Sequence, residues 1–262
     1  MAAPSIMSDP TTRRQLIGRL AAIAGAALLR PALASAAPGS RYRAVAFDGF
    51  VLFDPRPIPA LANELFGDKG PRLVEAWRTR QFDYQWLQAL AGRYQDFWKS
   101  TESALLFAAR STGVDLKPEA RDRLMQAWLR LEAWPDVAPS LLALRKANLR
   151  LAPLANLTPA ILEAAIANSH LEGLLDEVIS TDRAKTYKPD PRAYQLGLDV
   201  LRLRREEIVF AASAGWDAAG SRWFGYPTYW VNRSGAPAEE LGVTADGSGP
   251  AMAGLVAFAG KS

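Results

Sequence analysis

A short apolar run that ends in a carboxylate constrains the fold more than any other feature of this sequence. Residues Ala44–Phe47 carry no polar side chain, and Asp48 follows them directly, ahead of Gly49. Such a run is typical of a buried parallel strand. Ligands bind at the carboxyl edge of open parallel sheets. Asp48 is therefore the first candidate for a catalytic group.

The composition is that of an ordinary globular protein, and it excludes several kinds of chemistry. The chain has 262 residues, of which 49% are hydrophobic and 22% are charged, which suits one compact domain with or without an insert. It has no cysteine, which excludes disulfides and thiolate catalysis. The one histidine, His170, stands in a predicted surface turn. Ser–His–Asp catalysis and His-rich metal sites are therefore also excluded.

The N-terminal segment, residues 1–36, has the features of an export signal. Arg13 and Arg14 precede an apolar segment at positions 20–29, which is too short to span a bilayer. A small-residue cleavage pattern follows at positions 34–36. These features predict a twin-arginine signal peptide, the twin-arginine export machinery as a partner, and a periplasmic or secreted protein. An uncleaved membrane anchor is the alternative, and Arg19 and Arg30 on either side of the apolar segment disfavour it.

Most of the net charge lies in that N-terminal segment. The formal net charge of the chain is +4, and residues 1–36 contribute +3 through four arginines and one aspartate. About +1 remains for the rest, which has no run of lysines and arginines. The sequence therefore predicts no nucleic-acid partner.

Strand-like and helix-like segments alternate along most of the chain. Strands are predicted at 44–47, 149–154, 178–180, 208–212 and 228–231, and helices at 159–168, 191–201 and 217–224. This alternation is typical of an α/β protein with a Rossmann-like parallel sheet. Residues 58–131 show helical spacing and no strand signal, which predicts an α-helical cap inserted after strand 1. The core would then comprise residues 37–57 and 132–262.

Chemically active residues follow four of the predicted strands. They are Asp48, Asn156, Lys188 and Asp217. The carboxyl ends of parallel strands converge on one crevice, so we expect these side chains to meet. Two acids, a cation and a polar donor are the residue types that nucleophilic carboxylate catalysis uses.

The sequence resembles the haloacid dehalogenase superfamily, and within it the type II (S)-2-haloacid dehalogenases, over about residues 42–258. The segments that carry the resemblance are Phe47–Asp48 and residues 52–54, 77–87, 92–98, 154–156, 187–190, 215–217 and 230–233. The cap segment 77–98 distinguishes this group from the phosphatases of the superfamily. The resemblance implies a Rossmann-like core with a helical cap. It also implies a small 2-haloacid as substrate and no metal or other cofactor, and it is compatible with a homodimer.

The resemblance also implies a mechanism with three catalytic residues. Asp48 matches the nucleophile, which displaces halide from C2 of the acid with inversion and forms an ester that water hydrolyses. Lys188 matches the lysine that balances charge in the core. Asp217 matches the acid near the hydrolytic water. A carboxylate that attacks a saturated carbon needs a dry and aligned pocket, so the cap would serve to exclude water.

Five further residues match substrate-binding or supporting positions of the group. Arg78 in the cap matches the arginine that accepts the halide, with Asn156 beside it; a fixed cation and a donor are suited to a leaving anion. Phe97 and Trp216 match the apolar pocket, and Tyr194 a tyrosine that supports the site. Packing roles are the alternatives for the aromatic residues, and Asn156 is equally suited to cap the helix that follows it.

Four positions at which the group usually has polar side chains are apolar here. They are Val51, Ala155, Ala212 and Ala214. The charged residues are retained, which favours the same nucleophile acting on a different or less polar substrate. A weakly active or non-catalytic binding protein is one alternative. A Mg²⁺-dependent phosphatase is another, which Phe50 disfavours because the phosphatases place an acid at that position.

Overall fold

The computed structural model describes residues 41–260, and a six-stranded parallel sheet lies at its centre. The spatial order of its strands is β5-β4-β1-β6-β7-β8. The strands are β1 (Ala44–Phe47), β4 (Arg150–Ala155), β5 (Ile179–Ser180), β6 (Ile208–Ala212), β7 (Thr228–Val231) and β8 (Gly247–Gly249). A separate antiparallel pair joins β2 (Phe53–Asp54) to β3 (Glu132–Ala133).

Helices cover the sheet and form a layer above its carboxyl edge. Those of the core are α1 (Gly49–Leu52), α6 (Val137–Lys146), α7 (Pro159–Asn168), α8 (Pro191–Leu201), α9 (Gly215–Phe224) and α10 (Met252–Ala259). Between β2 and β3 the chain forms α2 (Pro57–Phe66), α3 (Gly70–Leu90), α4 (Phe97–Thr112) and α5 (Pro118–Gln126). We call these four helices the cap. The exact limits given above for cap and core stay a prediction.

Strand β1 forms the middle of the sheet because both of its faces are apolar. Val45 and Phe47 join a large core with α6, α7 and α10, whereas Ala44 and Ala46 pack in a second core with α8 and α9. The amide of Asp48 still donates to the carbonyl of Ala211 on β6, at 2.8 Å. The carboxylate therefore emerges where the strand pairing stops.

Local sequence patterns located most core elements correctly. The predicted spans of β1, β6, β7, α7 and α8 are those of the structure. Strand β4 is shifted by one residue at both ends, β5 begins one residue later, and α9 begins at Gly215 rather than at residue 217. Strand β8 was not predicted, because its sequence, Gly-Ser-Gly, has none of the side chains that favour strands. The predicted fold class, a Rossmann-like α/β core, is confirmed.

The predicted export signal lies outside the described residues. Within residues 41–260, no helix combines the length and the apolar character needed to cross a membrane. His170 is exposed, as expected, in a turn with a positive φ of 52°.

Candidate active site

A buried lysine stands between two carboxylates at the carboxyl edge of the sheet. Lys188 Nζ is 2.7 Å from Asp48 Oδ2 and 2.6 Å from Asp217 Oδ2. The lysine side chain has no exposed surface, and the two acids are almost fully buried. The predicted convergence of these three side chains is therefore what the structure shows.

The charges of this triad shift its protonation equilibria in different directions. Burial would raise the pKa of Asp48, but the charge and hydrogen bond of Lys188 hold it below its usual range. Burial raises the pKa of Asp217 to about 6, since the nearby charge of Asp48 opposes part of the benefit from Lys188. Burial alone would lower the pKa of Lys188, and the two carboxylates raise it instead. At neutral pH the cluster holds one cation and two anions.

The second oxygen of Asp48 is oriented by two donors. The backbone N–H of Phe50 donates to Oδ1 at 3.0 Å, and the hydroxyl of Ser213 donates to the same oxygen at 2.5 Å. Asp48 is thereby the N-cap of α1, the short helix that follows β1. These bonds stabilise the ionised carboxylate and fix the direction in which it faces.

Asn156 anchors the segment that carries Lys188 and does not cap α7. Its Oδ1 accepts from the backbone N–H of Lys188 at 3.0 Å and from the hydroxyl of Thr181 at 3.3 Å. The N-cap of α7 is Thr158, whose hydroxyl accepts from the N–H of Ile161. The capping interpretation of Asn156 was therefore wrong. Since the carbonyl oxygen is used for Lys188, the Nδ2 donor is left for the cavity that Asn156 lines.

Tyr194 supports the site from behind the reacting groups. Its hydroxyl donates to Asp217 Oδ1 at 2.7 Å, and its side chain is completely buried among core residues of α8, α9 and β6. It does not line the cavity described below. The sequence-based grouping of Tyr194 with the substrate-binding residues is corrected: it is a positioning residue for Asp217.

Asp48 opens into a cavity of about 490 Å³ between the core and the cap. Phe97 and Trp216, the predicted pocket residues, both line it, as does Arg78 on α3. Arg78 is exposed at the rim, and no carboxylate pairs with it among the described residues. Lys188 and Asp217 lie beneath this lining. A substrate in the cavity would therefore lie between Asp48 on the core side and Arg78 on the cap side.

A wider cleft of about 830 Å³ adjoins this cavity and shares Arg78 and Trp216 with it. Three aromatic rings from both sides meet at the boundary: Phe82 and Trp86 of α3, and Trp216 of α9, at centroid distances of 5.4 to 5.7 Å. The indole N–H of Trp86 also donates to the carbonyl of Lys188 at 3.2 Å. Cap and core are thus joined at the residue that holds the two acids.

The positions that lack the usual polar groups lie around Asp48. Val51, Ala155 and Ala212 are buried in the apolar cores, and Ala214 lines the cavity. The neighbouring Ser213 supplies a side-chain hydroxyl that bonds to Asp48. Ala214 therefore offers a substrate no side-chain donor, whereas Asn156, Ser213, Arg233 and Ser234 still line the cavity.

The donor set around Asp48 does not have the composition of a magnesium site. Mg²⁺ prefers six oxygen ligands in an octahedral arrangement. In the part of the chain that the structure describes, no group of three or more Asp, Glu, His or Cys residues is placed to hold a metal ion. The space between the oxygens of Asp48 and Asp217 contains the ammonium group of Lys188.

Sequence reasoning missed three polar side chains of the cap that line the same cavity. They are Gln81 and Gln85 of α3 and Trp128, which follows α5. All three are buried. Helical spacing from Trp77, at four and eight residues, could have indicated that the two glutamines face inwards.

Comparisons with known proteins agree with this fold. A model of the haloacid dehalogenase-like hydrolases matches residues 36–225. An (S)-2-haloacid dehalogenase of Pseudomonas sp. (strain YL) is 39% identical over 205 residues, which are 78% of this chain and 88% of that protein.

Two solved structures of relatives extend the comparison to three dimensions. An L-2-haloacid dehalogenase superposes with a TM-score of 0.82 at 38% identity, covering 84% of this chain and 99% of that one. The enzyme of Xanthobacter autotrophicus with chloropropionic acid covalently bound superposes with a TM-score of 0.74 at 32% identity, covering 83% and 98%. The chain belongs to the haloacid dehalogenase-like hydrolase family, and its relatives place it with the enzymes that hydrolyse carbon–halogen bonds.

Proposed function

We propose that this protein hydrolyses the carbon–halogen bond of small (S)-2-haloacids, with Asp48 as a nucleophile and without a metal ion. The observation that carries the proposal is the environment of Asp48: an ionised carboxylate, paired with Lys188, opens into a largely apolar cavity below an arginine. Relatives named as 2-haloacid and haloacetate dehalogenases support the same substrate class.

In the first step, the carboxylate of Asp48 attacks C2 of the substrate and the carbon–halogen bond breaks. An ester forms between Asp48 and C2, and the halide leaves with the bonding electron pair. Arg78 and the Nδ2 group of Asn156, which line the cavity, are the cation and donor available to the developing anion. Aromatic walls such as Phe97 and Trp216 limit access of water while the bond forms.

In the second step, water attacks the carboxyl carbon of the Asp48 ester, so C2 is inverted only once. The oxygen of water enters Asp48, and the original aspartate oxygen leaves as the hydroxyl group of the 2-hydroxy acid. Ester formation removes the charge of Asp48, which leaves Lys188 paired with Asp217 alone. We assign to Asp217 the role of accepting the proton of the water, since a base with a pKa of about 6 is ionised at neutral pH.

A single-turnover experiment in H₂¹⁸O tests this proposal. Excess enzyme is mixed with (S)-2-chloropropionate in the presence of EDTA, and chloride, lactate and the peptide containing Asp48 are analysed. We expect stoichiometric chloride, unlabelled (R)-lactate and one ¹⁸O atom in the carboxylate of Asp48. The Asp48→Asn variant is the control, and it should release no chloride.

Other outcomes would contradict specific parts of the proposal. Label in the lactate rather than in Asp48 would show direct attack of water on C2. Loss of chloride release on chelation, restored by Mg²⁺, would show a metal-dependent reaction. No chloride from (S)-2-chloropropionate at any pH from neutral to alkaline would exclude the ordinary 2-haloacid substrate.

We further propose that the chain is exported through the twin-arginine route and acts outside the cytoplasm. The support is the sequence of residues 1–36, with Arg13 and Arg14 ahead of a short apolar segment and a small-residue cleavage pattern. A homodimer is also proposed, on the resemblance alone, and its measurement is the molar mass of the purified protein by light scattering.

A further inference from the structure

The cap wall of the active-site cavity contains a buried amide without a hydrogen-bond partner. Gln85 is 1% exposed and lines the cavity. In residues 41–260 its side chain has no hydrogen-bond partner, unlike Gln81 on the same helix. A buried amide without a partner is unfavourable, so this group is suited to a ligand that enters the cavity.

Gln81, one turn before Gln85, has a side-chain oxygen that is not used in a hydrogen bond among the described residues. Its Nε2 donates to the hydroxyl of Thr101 on α4 at 2.5 Å, which fixes the amide and leaves Oε1 as an acceptor. Gln81 and Gln85 are four residues apart on α3, so they lie one turn from each other on one face of the helix. Trp77, one turn before Gln81, continues the same buried face.

Trp128 adds a donor to this wall. Its ring lines the cavity, and its Nε1 is buried with no partner among the described residues. Three other indoles near the site are bonded: Trp77 donates to Thr101, Trp86 to Lys188, and Trp134 to Phe50, in each case to a backbone carbonyl. Trp128 packs against Trp77 at a ring distance of 6.3 Å, which places it beside the face that carries the glutamines.

We propose that Gln81, Gln85 and Trp128 form a subsite for a neutral group that both donates and accepts hydrogen bonds, such as a primary carboxamide, on the C2 side chain of the substrate. We call these three residues the cap-wall subsite. The inference rests on the proposed function and narrows its substrate class. The enzyme would act on 2-haloacids with a polar, uncharged side chain.

The donors and acceptors of the cap-wall subsite favour a neutral group. Gln85 Nε2 and Trp128 Nε1 donate, whereas the Oε1 atoms of Gln81 and Gln85 accept. A carboxylate would face two amide oxygens that it cannot satisfy, and an ammonium group would leave the donors unmet. A carboxamide accepts through its oxygen and donates through its nitrogen, so it matches both sets.

The size and lining of the cavity agree with a substrate larger than chloropropionate. At about 30 Å³ per water in the liquid, a cavity of about 490 Å³ has room for roughly sixteen water-sized groups. The six non-hydrogen atoms of 2-chloropropionate would occupy less than half of it. Of the four positions with apolar replacements, Ala214 lines the core side of the cavity and offers no side-chain donor. On the cap side, the amides of Gln81 and Gln85 and the indole of Trp128 are available to a longer side chain.

Two isosteric substrates test the cap-wall subsite. The two substrates are (S)-2-chloro-3-carbamoylpropionate and (S)-2-chloro-4-methylpentanoate. They have the same shape, but the first ends in a carboxamide and the second in an isopropyl group. We expect a kcat/KM ratio of at least about tenfold in favour of the amide, because each buried group that the isopropyl leaves unmet opposes binding. In Gln85→Met that preference should disappear. Gln126→Met, on the exposed surface of the cap, is the matched control and should keep it.

A binding measurement separates this inference from the proposed function. Calorimetry with succinamate and 4-methylpentanoate, the halogen-free counterparts, reports the cap-wall subsite without turnover and in the unmodified protein. Tighter binding of succinamate, without chloride release from either chlorinated acid, would support the subsite and contradict the dehalogenase proposal. Equal or weaker binding of succinamate in the wild type would overturn the subsite, whatever the catalytic activity. An unchanged preference in Gln85→Met would overturn it as well.

Discussion

At the scale of single residues, Lys188 determines the charge balance of the site. It is fully buried and contacts Asp48 and Asp217, so no other cation is needed to keep both acids ionised near neutral pH. Buried ion sets of this kind add little stability compared with apolar residues, but loss of one member costs about 3–5 kcal/mol. Their value here is functional, because they hold Asp48 ionised and facing the cavity.

Tyr194 should set the pH at which Asp217 gains its proton. Its hydrogen bond to Asp217 Oδ1 lowers the pKa of that acid, against the burial that raises it to about 6. If Asp217 is the base, kcat falls as the pH drops below about 6. In Tyr194→Phe the pKa of Asp217 rises. The acidic limb of the pH profile of kcat should therefore move to higher pH, by about one pH unit for the loss of a charge-assisted hydrogen bond.

Tyr226→Phe is the matched control for this prediction. Tyr226 is as deeply buried as Tyr194, but its hydroxyl donates to the backbone carbonyl of Tyr194 at 2.7 Å and not to an acid. Both variants should lose a comparable free energy of unfolding, measured by urea denaturation. Only Tyr194→Phe should shift the acidic limb of the pH profile of kcat. An unmoved limb in Tyr194→Phe would contradict the assignment of Asp217 as the titrating base.

At the scale of elements, the long cap helix α3 brings three functions to one cavity. It spans 21 residues, about 30 Å at 1.5 Å per residue. Arg78 lies at the rim of the cavity, Gln81 and Gln85 line the wall, and Trp86 contacts the core. Because these side chains share one rigid helix, a shift of α3 would move all of them together relative to Asp48.

The hydrogen bond from Trp86 to the carbonyl of Lys188 should help to hold α3 in its catalytic position. Trp86→Phe keeps an aromatic ring against Trp216 and removes the N–H donor together with part of the indole ring. We expect kcat/KM to fall between about twofold and tenfold, the net value of one ordinary hydrogen bond, with most of the change in KM. Steady-state chloride release measures it.

Trp223→Phe serves as the comparison for this change. Trp223 is 58% exposed on α9 and lies outside both cavities. Its substitution should leave kcat and KM unaltered. Equal kinetics in Trp86→Phe and the wild type would show that the aromatic contacts alone position the helix.

At the scale of the whole molecule, the proposed export signal would determine in which compartment the reaction takes place. The full-length chain, expressed in a bacterium with a twin-arginine system, should be recovered from the periplasm or the medium with a new N-terminus near Ala37. Replacing both Arg13 and Arg14 by Lys should retain it in the cytoplasm at full length. The measurement is cell fractionation with N-terminal sequencing.

Arg19→Lys is the control for the export experiment, since it keeps the twin pair and alters one other arginine of the same segment. Export of the doubly substituted chain at the wild-type level would contradict the twin-arginine route. Recovery of the uncleaved chain in the membrane fraction would favour an anchor instead.

The sequence by itself determined most strands of the core, three of its helices and the charged residues of the site. Strands β1, β6 and β7 are recognisable because parallel strands buried on both faces are continuously apolar. Helices α7 and α8 begin with a capping residue followed by proline, which is a strong local signal. Since parallel strands end at one edge of the sheet, the proximity of Asp48, Lys188 and Asp217 follows from the sequence alone.

Only the tertiary structure decided which contacts those residues make. The bond from Ser213 to Asp48 joins residues 165 positions apart, and that from Trp86 to Lys188 joins residues 102 apart. No local pattern encodes such pairs. The burial of Gln81 and Gln85 was also not predicted, because polar side chains in a helix usually indicate an exposed face. Their spacing from Trp77 is the one local signal that they face inwards, and the opposing wall that buries them belongs to the tertiary structure.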